Sequence, residues 1–337
     1  MKNRLCLAAL LAALAQLSIS AADSAALNDH LKPIVRLVGQ WTWQWKNEHG
    51  ESMTAQSTVQ ADASGAFITD TGWDIRDGKI VPSQLNIYYW DPAAKAIANV
   101  GFTSTGDHGS ARLFARGNDW IEQSTGYDDL GILRTHTDHW EWNNDDSGVY
   151  QETHVFRAGR SEPDDFKLSC QRTTMATNFP AAAPDSFPLN EYLKPLARWI
   201  GTWDVEWKDG NGQNKKAQTT VEPELQGAVI TERTEQVQEG KLVYSRMVVL
   251  YWQQESRSLA TFTADSTGSV LAANLFARGD RWIGHVSGHA PGGKLRTCVD
   301  QRHWLNNDTV TSQETDVFEE GEAKPDGPKY TFKRMQP

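Results

Sequence analysis

Residues 27–46 read LNDHLKPIVRLVGQWTWQWK, and residues 189–208 read LNEYLKPLARWIGTWDVEWK. The second stretch repeats the first at an offset of 162 positions, and the same offset continues without a gap. It carries the LFARG of residues 113–117 onto the LFARG of residues 275–279. More than a third of the positions in residues 27–172 are identical between the copies. Such a long period indicates the tandem duplication of a whole domain and excludes a solenoid of small units.

The duplication predicts two domains, residues 27–172 and 189–337, and each is long enough to form its own core. Residues 173–188 lie between them and are rich in Thr, Ala and Pro. This composition favours an extended linker over a packed element.

The first 22 residues have the three regions of a secretory signal peptide. Lys2 and Arg4 precede an uncharged run over residues 5–17, and small residues follow up to Ala22. We therefore expect export to the periplasm or secretion. The apolar run is shorter than the roughly 20 residues that a membrane span needs, and we expect no transmembrane segment.

Charge excludes one class of partner. The chain has 33 basic and 43 acidic residues, a formal net charge of −10, and no stripe rich in Lys or Arg. A protein of this kind cannot neutralise a phosphate backbone, so we expect no nucleic acid partner.

Two cysteines remain beyond the predicted signal peptide, Cys170 in the first copy and Cys298 in the second. Whether they form a disulfide stays open.

Each copy has the pattern of an all-β protein, in which short aromatic and β-branched runs alternate with turn signals. One short helix is predicted before Gly39, where Leu31, Val35 and Val38 recur at helical spacing. The expected fold is two tandem antiparallel β-barrels of about ten strands, each preceded by a short helix. In the first copy the strands are predicted at about 41–46, 52–59, 66–75, 80–90, 95–102, 110–116, 119–127, 132–142, 149–157 and 166–172.

Three features in order resemble a known superfamily. They are a short helix followed by Gly39-x-Trp41, about ten strands, and an arginine in the last strand, Arg172 in the first copy and Arg334 in the second. This order resembles the calycin or lipocalin-like barrel, and is similar to a family of uncharacterised bacterial lipocalin-like domains. The resemblance implies that Trp41 packs across the closed end of a barrel under the final arginine. It implies a binding cavity and no particular reaction.

Polar residues share one face of a predicted strand over residues 132–142. Alternating side chains of a strand point to opposite faces, so residues of equal parity lie together. The two copies share an arginine and an aspartate on this face, Arg134 and Asp138 in the first copy and Arg296 and Asp300 in the second. On the next strand they share a glutamate, Glu152 and Glu314. They form either a polar patch in an aromatic cavity, where the arginine anchors an anionic or carbonyl group, or an Arg–Asp pair on the outer face.

Arg116 and Arg278 follow Phe114 and Phe276 by two positions. They point either into the barrel with these aromatic rings or to its rim. The candidate ligand-binding residues are therefore Arg116, Arg134, His136, Asp138, Trp140 and Glu152 in the first copy, and Arg278, Arg296, Asp300 and Glu314 in the second.

We expect no cofactor and no metal centre. His136 and His139 have opposite parity on one strand, which argues against their binding one ion together. No motif of a known nucleophile, zinc protease or phosphate-binding loop is present, so catalytic residues are not assigned. Four of the 14 tryptophans have no partner tryptophan in the other copy and are candidates for a copy-specific pocket: Trp43, Trp73, Trp140 and Trp199.

These observations predict an exported binding protein for small, largely apolar molecules that carry a polar anchoring group. Two alternatives stay open. One is an enzyme that acts on a small molecule inside one barrel, and the other is a protein-interaction module with filled barrels. Whether the two copies pack on each other is also open.

Overall fold

The computed structural model describes residues 27–47, 49–76, 79–165, 167–173 and 188–335. The fold is all-β and consists of two closed ten-stranded antiparallel barrels in tandem, which confirms the predicted fold class. The predicted signal peptide and linker positions 174–187 lie outside the described residues. Within the described part of the chain, no helix is long and apolar enough to span a membrane.

Barrel 1 contains strands β1 to β11. Neighbouring strands pair antiparallel from β1 to β9, and β11 pairs with both β9 and β1, which closes the cylinder. The two-residue β10 is an extra hairpin on β9. The strands are β1 (Gly39–Lys46), β2 (Ser52–Ala61), β3 (Phe67–Arg76), β4 (Lys79–Asp91), β5 (Ala96–Thr103), β6 (His108–Arg116), β7 (Asp119–Tyr127), β8 (Leu133–Asn144), β9 (Ser147–Arg157), β10 (Arg160–Ser161) and β11 (Lys167–Arg172).

Barrel 2 repeats this topology, with its last strand pairing with both β12 and β20. Short 3₁₀ turns lie at Leu225–Gly227 and Pro291–Gly293. The strands are β12 (Gly201–Lys208), β13 (Asn214–Glu224), β14 (Val229–Gln238), β15 (Lys241–Gln253), β16 (Ser258–Asp265), β17 (Val270–Arg278), β18 (Arg281–His289), β19 (Leu295–Asn306), β20 (Thr309–Glu319), β21 (Glu322–Ala323) and β22 (Tyr330–Arg334).

A 3₁₀ helix precedes each barrel, at Lys32–Leu37 and at Glu191–Trp199. The predicted spacing is right for Leu31, while Val35 and Val38 pack only at the margin of the core. Leu31, Ile34 and Leu37 are its buried residues, and Val35 and Val38 are only half-buried. A 3₁₀ helix has three residues per turn, so positions three apart align on the buried side.

The first barrel is closed at this end by a tryptophan and an arginine. The Arg172 guanidinium lies 4.4 Å from the ring centroid of the fully buried Trp41. It also donates hydrogen bonds to the carbonyl oxygens of Val38 and Arg36, at 2.5 and 2.6 Å. Gly39 has φ of 142°, and a Cβ at this position would collide with the guanidinium of Arg172. The cation–π contact therefore depends on a glycine before the tryptophan.

Barrel 2 has the same closure. Arg334 lies 4.2 Å from the ring centroid of Trp203 and donates to the carbonyl oxygen of Ile200. The contact that the resemblance implies is thus present in both barrels.

Three apolar clusters stabilise the fold. One lies in each barrel around the closing tryptophan. The third combines side chains of both halves, among them Ile87 and Phe102 with Val249 and Phe262. Cys170 and Cys298 are buried, unpaired thiols.

We predict that Gly39→Ala destabilises barrel 1, because the new Cβ meets Arg172 and the backbone is strained. The expected loss in the free energy of unfolding is about 2 to 4 kcal/mol. Gly106→Ala is the control, since Gly106 also has positive φ (104°) but has no atom within 4 Å of an added Cβ. Urea unfolding should give a smaller loss for the control. Equal losses would contradict the role of the arginine contact.

Candidate functional site

A cavity of about 540 Å³ lies inside barrel 1. Its wall is aromatic, and its remaining surface carries polar side chains of β3 to β9. Three of the four tryptophans without a partner in the other copy, Trp43, Trp73 and Trp140, are part of this lining. The other aromatic residues of the lining are Trp45, Tyr88, Phe102, Tyr127 and Tyr150.

The charges along the cavity are strongly unbalanced. Among the described lining residues are eight carboxyl groups, two histidines, one arginine and no lysine. The carboxyl groups belong to Asp70, Asp74, Asp107, Glu122, Asp128, Asp138, Glu152 and Asp165.

One group of these residues lies on β8 and β9, where Asp138 is paired with Glu152 in the strand register. The Nε2 atom of His136 lies 3.4 Å from Asp138 Oδ1 and 4.0 Å from Glu152 Oε1. The Tyr150 hydroxyl contacts the same two oxygens, at 2.7 and 3.1 Å. We call His136, Asp138 and Glu152 the histidine–carboxylate triad.

Arg134 does not offer a free positive charge to the cavity. It donates to Glu152 Oε2 at 2.6 Å and to Asp165 Oδ2 at 3.4 Å. Burial raises the pKa of Glu152, and the charges of His136 and Arg134 only partly offset this. The expected anchoring of an anion by Arg134 is therefore not favoured by the geometry.

A second group lies deeper in the same barrel. Asn99 Nδ2 donates to Glu122 Oε1 at 3.0 Å, and Asn86 Nδ2 donates to Asp70 Oδ2 at 3.3 Å. Two other oxygens of this group, Asp70 Oδ1 and Asn99 Oδ1, are buried and have no hydrogen-bond partner among the described residues. Buried acceptors of this kind are rare and costly.

Burial raises the pKa of both acids in this second group. The pKa of Asp70 is raised to about 6, although hydrogen bonds from Asn86 and Ser57 oppose the shift. The pKa of Glu122 is raised to about 8 by burial and then by the nearby charge of Asp138. Among the described residues no positively charged side chain lowers the pKa of either acid, so their ionised forms are disfavoured.

Barrel 2 has a buried ion network at the position equivalent to Asp70. Glu232 replaces Asp70 and forms ion pairs with Arg246 at 2.6 Å and Arg302 at 2.9 Å. It also accepts a hydrogen bond from Trp199 Nε1 at 2.9 Å. Burial alone would raise the pKa of Glu232, but Arg302 and Arg246 lower it to about 2. Trp199 is fully buried and lies under the Arg302 guanidinium, 5.0 Å from the ring centroid.

The structure brings together five of the predicted site residues, since Arg134, His136, Asp138, Trp140 and Glu152 all line the cavity. Arg134, His136, Asp138 and Trp140 share one face of β8, as expected from their equal parity. The alternative of an outer-face Arg–Asp pair is wrong, because Asp138 and Trp140 are buried in the barrel and Arg134 pairs with Glu152 instead.

The predicted residues of barrel 2 do not line this cavity. Arg296 pairs with Glu314, and Asp300 accepts hydrogen bonds from Ser312 and Arg302. Arg116 and Arg278 are exposed on the outer face. The inward alternative for these two arginines is wrong, because Leu113 and Leu275 supply the buried positions of their strands and the neighbouring phenylalanines point outward.

Sequence reasoning missed Asp70, Asn99, Glu122 and Tyr150. The sequence feature that could have indicated them is that all four positions differ between the copies. The residues at the equivalent positions of the second copy are Glu232, Thr261, Gly284 and Ser312. No spacing rule links these positions, because β3, β5, β7 and β9 meet only when the barrel closes.

No protein-family model and no curated protein matches the chain. Among solved structures the chain is similar to a DUF3598 protein of unknown function from Nostoc punctiforme, at 8% identity and a TM-score of 0.24, covering 92% of this chain and 100% of that one. It is also similar to a transferrin-binding protein B from Haemophilus parasuis, at 10% identity and a TM-score of 0.20, covering 88% and 75%. A redesigned β-barrel covers 42% of this chain and 94% of its own, at 11% identity and a TM-score of 0.24. Similarity at this level supports no inference about function.

We predict that Glu232→Gln destabilises barrel 2 by about 3 kcal/mol at neutral pH, because the partly exposed Arg246 loses its ion pair and the buried Arg302 keeps only Asp300, at 3.3 Å. The folded pKa of Glu232 lies below its ordinary value of 4.5, so its stabilisation is present above pH 4.5 and is lost as the pH falls towards 2. Urea unfolding of both proteins across this range should show that the variant lacks this acid-sensitive stabilisation. Equal stability of the two proteins at neutral pH would contradict the ion network.

Asp70 is the barrel 1 residue equivalent to Glu232, and replacing its carboxyl group should raise the free energy of unfolding instead of lowering it. The folded pKa of Asp70, about 6, lies above its ordinary value of 3.8, so its ionised form lowers stability above pH 6. We predict that Asp70→Asn stabilises the ligand-free protein at pH 8 by about 2 to 3 kcal/mol, and that the gain disappears as the pH falls to 4. Urea unfolding at both pH values measures this. A variant less stable than the natural chain at pH 8 would contradict the prediction.

Proposed function

We propose that the chain is an exported binding protein with a lipocalin-like barrel 1, whose cavity holds a small molecule with an apolar part and a positively charged, hydrogen-bond-donating group. This narrows the expected polar anchoring group to a cation, such as a protonated amine. The enzyme and the interaction module stay alternative predictions. The raised pKa of Glu122 and the position of His136 in the same cavity are also features that an enzyme would have.

The observation that carries the proposal is the pair of buried acceptors, Asp70 Oδ1 and Asn99 Oδ1, which lack partners in an aromatic cavity. An ammonium group carries three hydrogen-bond donors and no acceptor, so it can donate to both of these oxygens. It also neutralises the carboxyl groups of Asp70 and Glu122, whose ionised forms are costly without a cation.

The aromatic wall supports the same ligand chemistry. Trp43, Trp140 and Tyr150 form edge-to-face contacts, with ring centroids 5.7 Å apart between Trp43 and Trp140 and 4.8 Å apart between Trp140 and Tyr150. Packed aromatic rings bury the apolar part of a ligand and attract a cation through their faces. A cavity of about 540 Å³ is within the usual range of small-molecule sites.

Barrel 2 is proposed to act as a packed support for barrel 1. Its interior is occupied by the Glu232 ion network and Trp199. Support for packing of the two copies comes from the shared apolar cluster and from polar contacts between the halves. Glu255 lies 3.1 Å from Nε2 of His108, a residue of the cavity lining, and Ser245 Oγ donates to Asp62 Oδ2 at 2.7 Å.

Isothermal titration calorimetry with a matched pair of probes tests the ligand class. Tryptamine carries an aromatic body and an ammonium group, and tryptophol replaces that group with a neutral hydroxyl. We predict that tryptamine binds in barrel 1 at least about tenfold more tightly than tryptophol, which corresponds to about 1.4 kcal/mol. The buffer contains EDTA, so that no metal ion contributes.

Asp70→Asn should weaken tryptamine binding and reduce its preference over tryptophol, because it removes one buried anion. Asp119→Asn is the matched control, since Asp119 is exposed at the start of β7 and outside the cavity lining. Equal affinity for the two probes, or equal effects of the two variants, would overturn the cationic ligand class.

A further inference from the structure

We propose that the histidine–carboxylate triad of barrel 1 binds one divalent transition-metal ion, with zinc as the best match. The ligand atoms would be His136 Nε2, Asp138 Oδ1 and Glu152 Oε1. These residues lie on the inner face of two adjacent strands, β8 and β9, and one ligand atom from each lies within 4.8 Å of the others.

The distances suit a small ion. A zinc ion with ligands at 2.0–2.2 Å in tetrahedral geometry requires about 3.3 to 3.6 Å between ligand atoms. The separation of His136 Nε2 from Asp138 Oδ1 is 3.4 Å, and that from Glu152 Oε1 is 4.0 Å. The first distance already fits, and the second requires a side-chain movement of about half an ångström.

The outer oxygens of both carboxylates are held by other side chains. Ser124 Oγ donates to Asp138 Oδ2 at 2.6 Å, and Arg134 donates to Glu152 Oε2 at 2.6 Å. The remaining oxygens are thereby directed towards each other and towards His136. Hydrogen bonds of this kind to the non-ligating atoms orient the ligands of metal sites.

A second observation is independent of the triad's spacing. The single hydroxyl proton of Tyr150 lies between two carboxylate oxygens, at 2.7 Å from Asp138 and 3.1 Å from Glu152, and can be donated to only one. The other oxygen is met either by His136 Nε2, which lies within 4.0 Å of both oxygens, or by a bound cation. In the neighbouring group Asp70, which is 94% buried and lines the same cavity, also has an oxygen without a partner. The same cavity thus holds a further carboxylate oxygen that no described group meets.

The donor set distinguishes among metals. Calcium takes six to eight oxygen ligands, and magnesium keeps an octahedral shell of oxygens. One imidazole nitrogen and two carboxylate oxygens instead suit zinc or a similar transition metal, with the fourth position open to the cavity.

Barrel 2 provides an internal comparison. Cys298 stands in place of His136, and Ser312 in place of Tyr150. Arg302 replaces Trp140, and its guanidinium lies 3.3 Å from Asp300 Oδ2, the counterpart of Asp138. A fixed positive charge thus lies at the equivalent carboxylate, and the expected stoichiometry is one ion per chain.

His136 and His139 point to opposite faces of β8, and His139 is exposed on the outer face, so these two histidines do not bind one ion together. The carboxylates beside His136 belong to Asp138, two positions further along β8, and to Glu152 on β9. Both lie on the same face as His136, so the opposite parity of the two histidines does not exclude a metal site formed with them.

The test is a titration of the untagged full chain, stripped with EDTA and dialysed, with ZnCl₂ in a calorimeter and with CoCl₂ in a spectrophotometer. We expect one zinc ion per chain and the visible absorption of four-coordinate cobalt. His136→Ala should weaken zinc binding by more than about 100-fold, because loss of even a residue that orients a ligand costs 10- to 100-fold. His139→Ala is the matched control and should bind as the natural chain does.

Circular dichroism checks that each variant is folded. Should His136→Ala misfold, Glu152→Gln replaces it, because glutamine can keep the hydrogen bond from Arg134, and at least a tenfold loss of zinc affinity is expected. Absence of zinc binding, equal binding to two sites, or equal affinities of the His136 and His139 variants would overturn the proposal. The titration contains no organic ligand, so its failure leaves the tryptamine result unaffected, and the reverse also holds.

Discussion

A charge that faces the interior of a closed ten-stranded barrel must find its partner inside that barrel. Closure joins every strand to two neighbours and removes the sheet edges, so the interior is enclosed by backbone that is already hydrogen-bonded. Burial then disfavours any ionised group without a counter-charge. The two barrels share a topology and a closing Trp–Arg contact, and they differ in how they meet this requirement.

Barrel 2 meets it with its own side chains. At three positions it has exchanged the residue of barrel 1 for one that fills or neutralises the interior: Trp199 for Leu37, Arg246 for Gln84 and Arg302 for Trp140. The result is a buried anion between two guanidinium groups, with a tryptophan ring beneath one of them. This barrel has no need of a ligand to balance its charges.

Barrel 1 keeps its carboxyl groups without enough cations and keeps an aromatic cavity beside them. In the function proposed above, the same groups that disfavour the ligand-free barrel would provide the affinity for a positively charged occupant. An ammonium group at Asp70 and a metal ion at the histidine–carboxylate triad would use different oxygens of one cavity, so the two proposals are compatible. Such an exchange of stability for binding is common at functional sites.

The sequence by itself determined the duplication, the ten-strand pattern and the set of residues that share a face with Asp138, since these follow from a constant offset and from the two-residue period of a strand. The sequence left open which face of each strand points into the barrel and which polar side chains contact each other there. Only the tertiary structure placed Asp70, Asn99 and Glu122 in one cavity with the triad and paired Arg134 with Glu152. The reason is physical: the cavity residues come from alternate strands, β3, β5 and β7, whose inner faces meet only when the sheet closes into a barrel. Arg134 meets Glu152 across the β8–β9 hairpin, whose register is irregular near Arg134 and does not follow from spacing in the sequence.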